Sequence, residues 1–174
     1  KGLNQFPINS VKYCLSLVDG GLDGIVSINL GFDYSKFTLD VPVYFLEEWM
    51  KYPEKPTESA KYEISRLKEK NPERVCSRLV DEFTKAGLVK GEFPPVNWYV
   101  HHYCHALSAH LASPFDASLG IVIDANSEID TLSVWDCQGT KLKKIYSKPL
   151  PHSLGWLYRA FTLFCGFPAC EGEG

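Results

Sequence analysis

Four of the five histidines in this chain fall within ten residues, HHYCHALSAH (101–110). On a helix, side chains four apart project from one face, one turn above the other. His101 and His105 have that spacing, and two imidazoles so placed can hold one divalent cation, as those of H-E-x-x-H do. The glutamate of that motif is missing, which excludes a zincin. His102 points about a quarter-turn aside and His110 lies well off the shared face, so neither is expected as a ligand. Cys104 sits on a neighbouring face and reads as buried. The competing reading of His101 and His105 is a pair of hydrogen-bonded histidines at a helix start. A metal needs a further ligand, and Asp124 closes the apolar strand GIVID (120–124), where a carboxylate is pushed out of the core into the turn. A plain turn-forming aspartate would look the same. His101, His105 and Asp124 together make an N/N/O set suited to iron, zinc or manganese and not selective among them.

Two further stretches carry chemical potential. In PHSLGWLY (151–158) a small, glycine-containing segment opens a helix with Ser153 as its cap. The backbone N–H groups over Ser153, Leu154 and Gly155 can hold a phosphate or carboxylate, although an ordinary helix start has the same sequence. His152 beside it is a candidate acid–base group or phosphate contact. The hairpin DANSEIDT (124–131) follows Asp124 directly and offers Asn126 as a phosphate contact. As a motif it is weak, because any polar β-turn resembles it.

These residues need elements to place them. VNWYV (96–100) reads as a strand running straight into the histidine segment, which continues as a helix to about Ala112. ASLGIVIDA (117–125), TLSVWDC (131–137) and KLKKIYS (141–147) read as three strands of an antiparallel meander. A last helix is expected after PLPH, with Leu154, Leu157, Tyr158, Phe161 and Phe164 along one stripe. Upstream, Pro7 sits where a first helical residue would. Ile8, Val11, Leu15 and Val18 recur at helical spacing until Gly20-Gly21, and the strand GIVSINL (24–30) follows. Helix then strand suggests a layered α/β protein with a partly parallel sheet. Residues 31–57, punctuated by proline, are expected to hold one short helix in a long insertion. Two charged helices follow, one from about Glu58 to Lys70. The other is capped by Asn71, starts at Pro72 and has Val75, Leu79 and Phe83 on one face before Gly87. Their charges read as a solvated surface. GEFPP (91–95) is the expected subdomain boundary.

The 174 residues suffice for one domain with a sizeable core. A net charge of -3 gives no reason to expect nucleic acid or an anionic membrane as partner. No apolar run approaches membrane-spanning length. The six cysteines show no C-x-x-C pair and read as reduced core thiols of a cytoplasmic protein. Disulfides in a secreted chain are the alternative, but KGLNQFP is not a signal peptide. The chain opens directly on a helix and stops at CEGEG, so a piece of a longer protein is expected.

In this order, HHYCHALSAHLASPFDASLGIVIDANSE, PHSLGWLYRAFTLFCGF and EGEG resemble the carbamoyltransferase N-terminal domain family, which includes nodulation protein U and antibiotic O-carbamoyltransferases. GLNQFPINSVKYCL is similar to the family's stretch after its first strands. The resemblance covers most of the chain and is thinnest across about 31–95. It implies an α/β fold of the actin-like, sugar-kinase and Hsp70 superfamily, built from ribonuclease-H-like halves and incomplete here. Residues 1–93 would be the rest of the first half with a helical insertion, and 94–174 the start of the metal-bearing half. It also implies His101, His105 and Asp124 as metal ligands, iron before zinc or manganese, with a fourth aspartate far downstream. The implied reaction is ATP-dependent. Carbamoyl phosphate supplies a carbamoyl group, which passes through carbamoyl-adenylate to a small-molecule hydroxyl. A separate C-terminal domain of the same chain makes the adenylate. His102 or His152 would take the acceptor's proton, and Ser153–Gly155 would hold phosphate oxygens. The family usually has glycine after the strand aspartate, where this chain has Ala125, which puts phosphate binding by the hairpin in question. Two alternatives stand beside this reading. One is transfer of a carbamoyl or threonylcarbamoyl group to a protein or tRNA; the other is a degenerate domain that binds a metal without catalysis.

Overall fold

The computed structural model describes residues 6–51, 65–150 and 152–168. The chain runs through α1 (Ile8–Ser16), a 3-10 turn (Gly21–Gly24), β1 (Ile28–Leu30), α2 (Tyr34–Met50), α3 (Pro72–Lys85) and β2 (Val96–Trp98). It continues through α4 (His101–Ala112), β3 (Ala117–Ile123), β4 (Asp130–Gln138), β5 (Lys141–Pro149) and α5 (Leu154–Phe164). Residues 65–69 are also helical. β1 and β2 pair in parallel with Ile28 opposite Val96, and β3, β4 and β5 form an antiparallel sheet in that order. The molecule is thus a mixed α/β protein with a parallel pair and a three-strand meander. Among the described residues no helix is long and apolar enough to cross a membrane.

Two apolar clusters hold these elements. The first centres on Leu22, Leu79 and Phe83, against which Val11, Leu15, Val75, Phe93 and Val96 pack. α3 supplies two of its centres because Leu79 and Phe83 lie one turn apart on one face of an otherwise charged helix. The Asn71 side chain caps that helix by accepting from Arg74 N at 2.9 Å, and Pro72 takes the first helical position. The second cluster joins α4 to the meander through Ala106, Val122, Trp135 and Cys137, with Tyr103 and Leu142 against it. Gly120 permits the close approach, since a Cβ there would lie 3.2 Å from Cys137 Sγ and 3.6 Å from Ala106 Cβ.

Several expectations need correction. The segment after β1 is a 17-residue helix, not a short one, despite Pro42 inside it. Phe37 and Val41, four apart, are 0% and 1% exposed and give the helix its buried face. Pro42 sits on its exposed side, where water can satisfy the carbonyl it leaves without a donor. The strand expected over 24–30 shortens to Ile28–Leu30, because Gly21–Gly24 is wound into a 3-10 turn. A Cβ on Gly24 would lie 2.3 Å from Asp19 O, so that turn depends on glycine. The stripe of α5 is not core among the described residues: Leu154, Leu157, Tyr158, Phe161 and Phe164 are all exposed. The cysteines are not uniformly core thiols either. Of the five free cysteines described, Cys137 is buried and Cys14 and Cys165 are exposed. The helix expected from about Glu58 lies largely outside the described residues, as does EGEG.

Candidate metal centre

β2 ends at Trp98, and after two intervening residues α4 begins at His101. The parallel pairing of β2 with β1 therefore sets where the first turn of α4 lies. β3 ends at Ile123 and delivers Asp124 to the same place. His101 Nε2 lies 2.9 Å from Asp124 Oδ2 and 3.1 Å from His105 Nε2, and His105 Nε2 lies 3.9 Å from Asp124 Oδ2. Neighbouring ligands around one cation at metal–ligand distances of about 2.1 Å stand about 3.0–3.4 Å apart, wider where the angle opens. The separations of 2.9 and 3.1 Å lie close to that spacing and the third, 3.9 Å, is wider; among the described residues the three form a group able to hold a metal ion.

The tautomers sharpen the point. His101 Nδ1 lies 2.7 Å from Gly31 O, and a carbonyl can only accept, so Nδ1 carries the proton. Nε2 of neutral His101 is then a lone pair facing a carboxylate oxygen and a second imidazole nitrogen. A proton carried by His105 Nε2 or a metal cation between the three atoms can satisfy this convergence. Donation of the outer ring nitrogen to a backbone carbonyl is the arrangement that fixes a metal-binding histidine in orientation and tautomer. His105 is half exposed, and a groove of about 420 Å³ opens beside it, lined by Ala109, Gly120, Ile121, Ile123 and Asp124.

The remaining site candidates divide. His102 is fully buried, with Nδ1 2.8 Å from Ser133 Oγ, which also accepts from Trp135 Nε1 at 2.7 Å. Its Nε2 has no hydrogen-bond partner among the described residues. Burial pushes its pKa down to about 4, against the opposing pull of Asp130 and Asp124. In this structure the neutral imidazole is enclosed in the core and held against Ser133. His110, 5% exposed, bonds Ser118 Oγ at 2.7 Å and stands apart from the triad, as its spacing implies. Cys104 is half-buried, and burial followed by the Glu128 charge pushes its thiol up, which disfavours the thiolate a metal needs.

At α5 the expected phosphate cradle is in part a structural joint. Ser153 Oγ accepts from Trp156 N at 3.0 Å and donates to Ala125 O at 2.7 Å, so the hydroxyl is committed to the fold. A Cβ on Gly155 would lie 2.5 Å from Ala125 N, so this glycine permits the helix start to press on the hairpin. What remains for an anion is the first-turn N–H groups of Leu154 and Gly155, which have no intrahelical partner by geometry. Asn126 is half-buried, and its Nδ2 reaches Ser127 O at 3.4 Å. His152 is exposed, just ahead of α5.

One residue escaped the sequence reading. Glu128 is 3% exposed, and its Oε1 accepts from Asp33 N at 2.7 Å and His101 N at 3.1 Å. The sequence signal was an acid placed in a hairpin that otherwise buries Ser127, but its donors lie 95 and 27 positions away.

An imidazole pair and a strand-end carboxylate on an α/β scaffold define the class: a domain built around a candidate cation site. The family model for the carbamoyltransferase N-terminus matches residues 22–174, and the chain belongs to that family. The chain is also 42% identical over 82 residues to "Uncharacterized protein sll1178" of Synechocystis. That match covers 47% of this chain and 13% of the relative's length, so the chain spans a small part of that protein.

Proposed function

We propose that this domain serves an ATP-dependent O-carbamoyltransferase of the actin-like, ribonuclease-H-like superfamily. The carbamoyl group moves from carbamoyl phosphate, through carbamoyl-adenylate, to a small-molecule hydroxyl. The convergence of His101 Nε2, His105 Nε2 and Asp124 Oδ2 within 2.9–3.9 Å carries the reading, together with family membership. These three residues would hold a divalent metal, iron before zinc or manganese. Bound there, the metal would polarise the adenylate's oxygens and offset developing charge. The adenylate occupies the groove beside His105, with its phosphate toward the Leu154 and Gly155 N–H groups. In the transfer, the acceptor oxygen bonds to the carbamoyl carbon, the bond from that carbon to AMP breaks, and the hydroxyl proton leaves to a base. With His102 in the core, that base is His152, whose position ahead of α5 leaves its ring open to solvent. The adenylate itself would be made by a further domain of a longer protein, working in the cytoplasm.

Metal analysis of the full chain and its His105→Ala variant tests the site. About one metal ion per chain is expected in the first and a small fraction of that in the second. Equal content in both, or no metal in either, would refute it. In carbamoyl transfer assayed by the intact protein, His152→Ala should slow turnover about 10²–10⁴-fold at unchanged metal content. Undiminished turnover would remove His152 as the base.

A further inference from the structure

We propose that Glu128 is the positioning residue of the metal centre, acting through His101 and the Gly31–Asp33 turn rather than through a bond to the cation. The inference rests on the metal reading above and goes beyond its three ligands. Glu128 Oε1 takes the backbone N–H of His101 at 3.1 Å and that of Asp33 at 2.7 Å. Two residues before Asp33, Gly31 O receives His101 Nδ1 at 2.7 Å. The contacts close a ring: Glu128 to the His101 backbone, the His101 imidazole to Gly31, and the turn back to Glu128. The Phe32 ring lies 6.2 Å from that of His101. One oxygen therefore fixes both the start of α4 and the carbonyl that sets the tautomer of a ligand.

The cost of this carboxylate argues for a role. A buried ionised group is expensive unless hydrogen-bonded, and an apolar side chain would fill the same space more cheaply. Here two backbone donors and the N-terminal end of α4 offset the cost. Glu128 is not among the atoms that converge on the cation position. Its influence on the metal therefore passes through the position of His101, as that of outer hydrogen-bond partners does at metal sites generally.

Titration of the full chain with Co²⁺, read by equilibrium dialysis and by the ligand-field absorption band, tests this. Glu128→Gln keeps an oxygen for both N–H groups and should bind within about threefold of wild type. Glu128→Asp, one methylene short of its donors, and Glu128→Ala should bind about 10–100-fold more weakly, with a shifted band at saturation. If the Asp and Ala variants lose only thermal stability, and their folded fraction binds Co²⁺ with wild-type affinity and an unchanged band, the proposal is overturned. If wild type binds no Co²⁺, the metal reading fails and takes this one with it, a result distinct from the first. Should Glu128→Ala not fold, the contrast between Asp and Gln carries the same test.

Discussion

At the scale of single residues, His101 is instructive because its two ring nitrogens have opposite tasks. Nδ1 faces a carbonyl and Nε2 faces a carboxylate oxygen and a second imidazole nitrogen. The second half of that statement was legible in the chain, since four-residue spacing on a helix and an acid at a strand end are local patterns. The first half was not, because Gly31 lies 70 positions from His101 and no local rule links them. His102 shows the same limit from the other side. Its neighbours in sequence suggested chemistry, while its neighbours in space, Ser133 and Trp135, make it part of the core. Ser133 serves two buried polar groups at once. Ser133→Ala should therefore cost about 2–4 kcal/mol in denaturant unfolding, well above a typical single hydrogen bond. A loss below about 0.5 kcal/mol would show that neither group depends on it.

At the scale of elements, the chain was read best where each helix or strand carried its own punctuation. Asn71-Pro72 opened α3, and the β-branched and aromatic run TLSVWDC marked β4. It was read worst where a punctuating residue is tolerated rather than obeyed, as Pro42 is on the outer side of α2. The start of α5 left two readings open, a ligand cradle and an ordinary helix start. Serine and glycine have the same appearance whether they admit a phosphate or another stretch of backbone. The structure puts backbone there, so Gly155→Ala must displace either α5 or the Asp124–Ala125 segment. About 1–3 kcal/mol of destabilisation is expected in thermal or denaturant melts, together with weaker metal binding as Asp124 shifts. A variant as stable as wild type would mean that the joint yields without strain.

At the scale of the molecule, the two apolar clusters have unequal tasks. The Leu22, Leu79 and Phe83 cluster holds the parallel pair in place, and the Ala106, Val122, Trp135 and Cys137 cluster seats α4 on the meander. Phe83 meets Phe6 and Phe93 edge-on at 6.0 and 5.4 Å, the joint between α3 and the segments around it. Phe83→Ala should cost about 3–5 kcal/mol in equilibrium unfolding, and a loss under 1 kcal/mol would show the first cluster to be peripheral. The change of texture near GEFPP does not coincide with this division, since Val96 beyond it packs with the first cluster. The contacts of Gly31 and Asp33 with the second cluster's side were not legible, because they come from backbone atoms of residues whose side chains reveal nothing about them.

Those crossing contacts impose an order on folding. His101 and Asp124 are 23 positions apart, so the ligand triad can form as soon as the meander collapses on α4. Asn29 and Asn97 mark a pairing of β1 with β2 across 68 positions, a far longer chain loop to close. Non-local pairings of this kind form late and slowly. The turn that steadies His101 should thus arrive last in refolding, so the site would exist in loose form before it is locked.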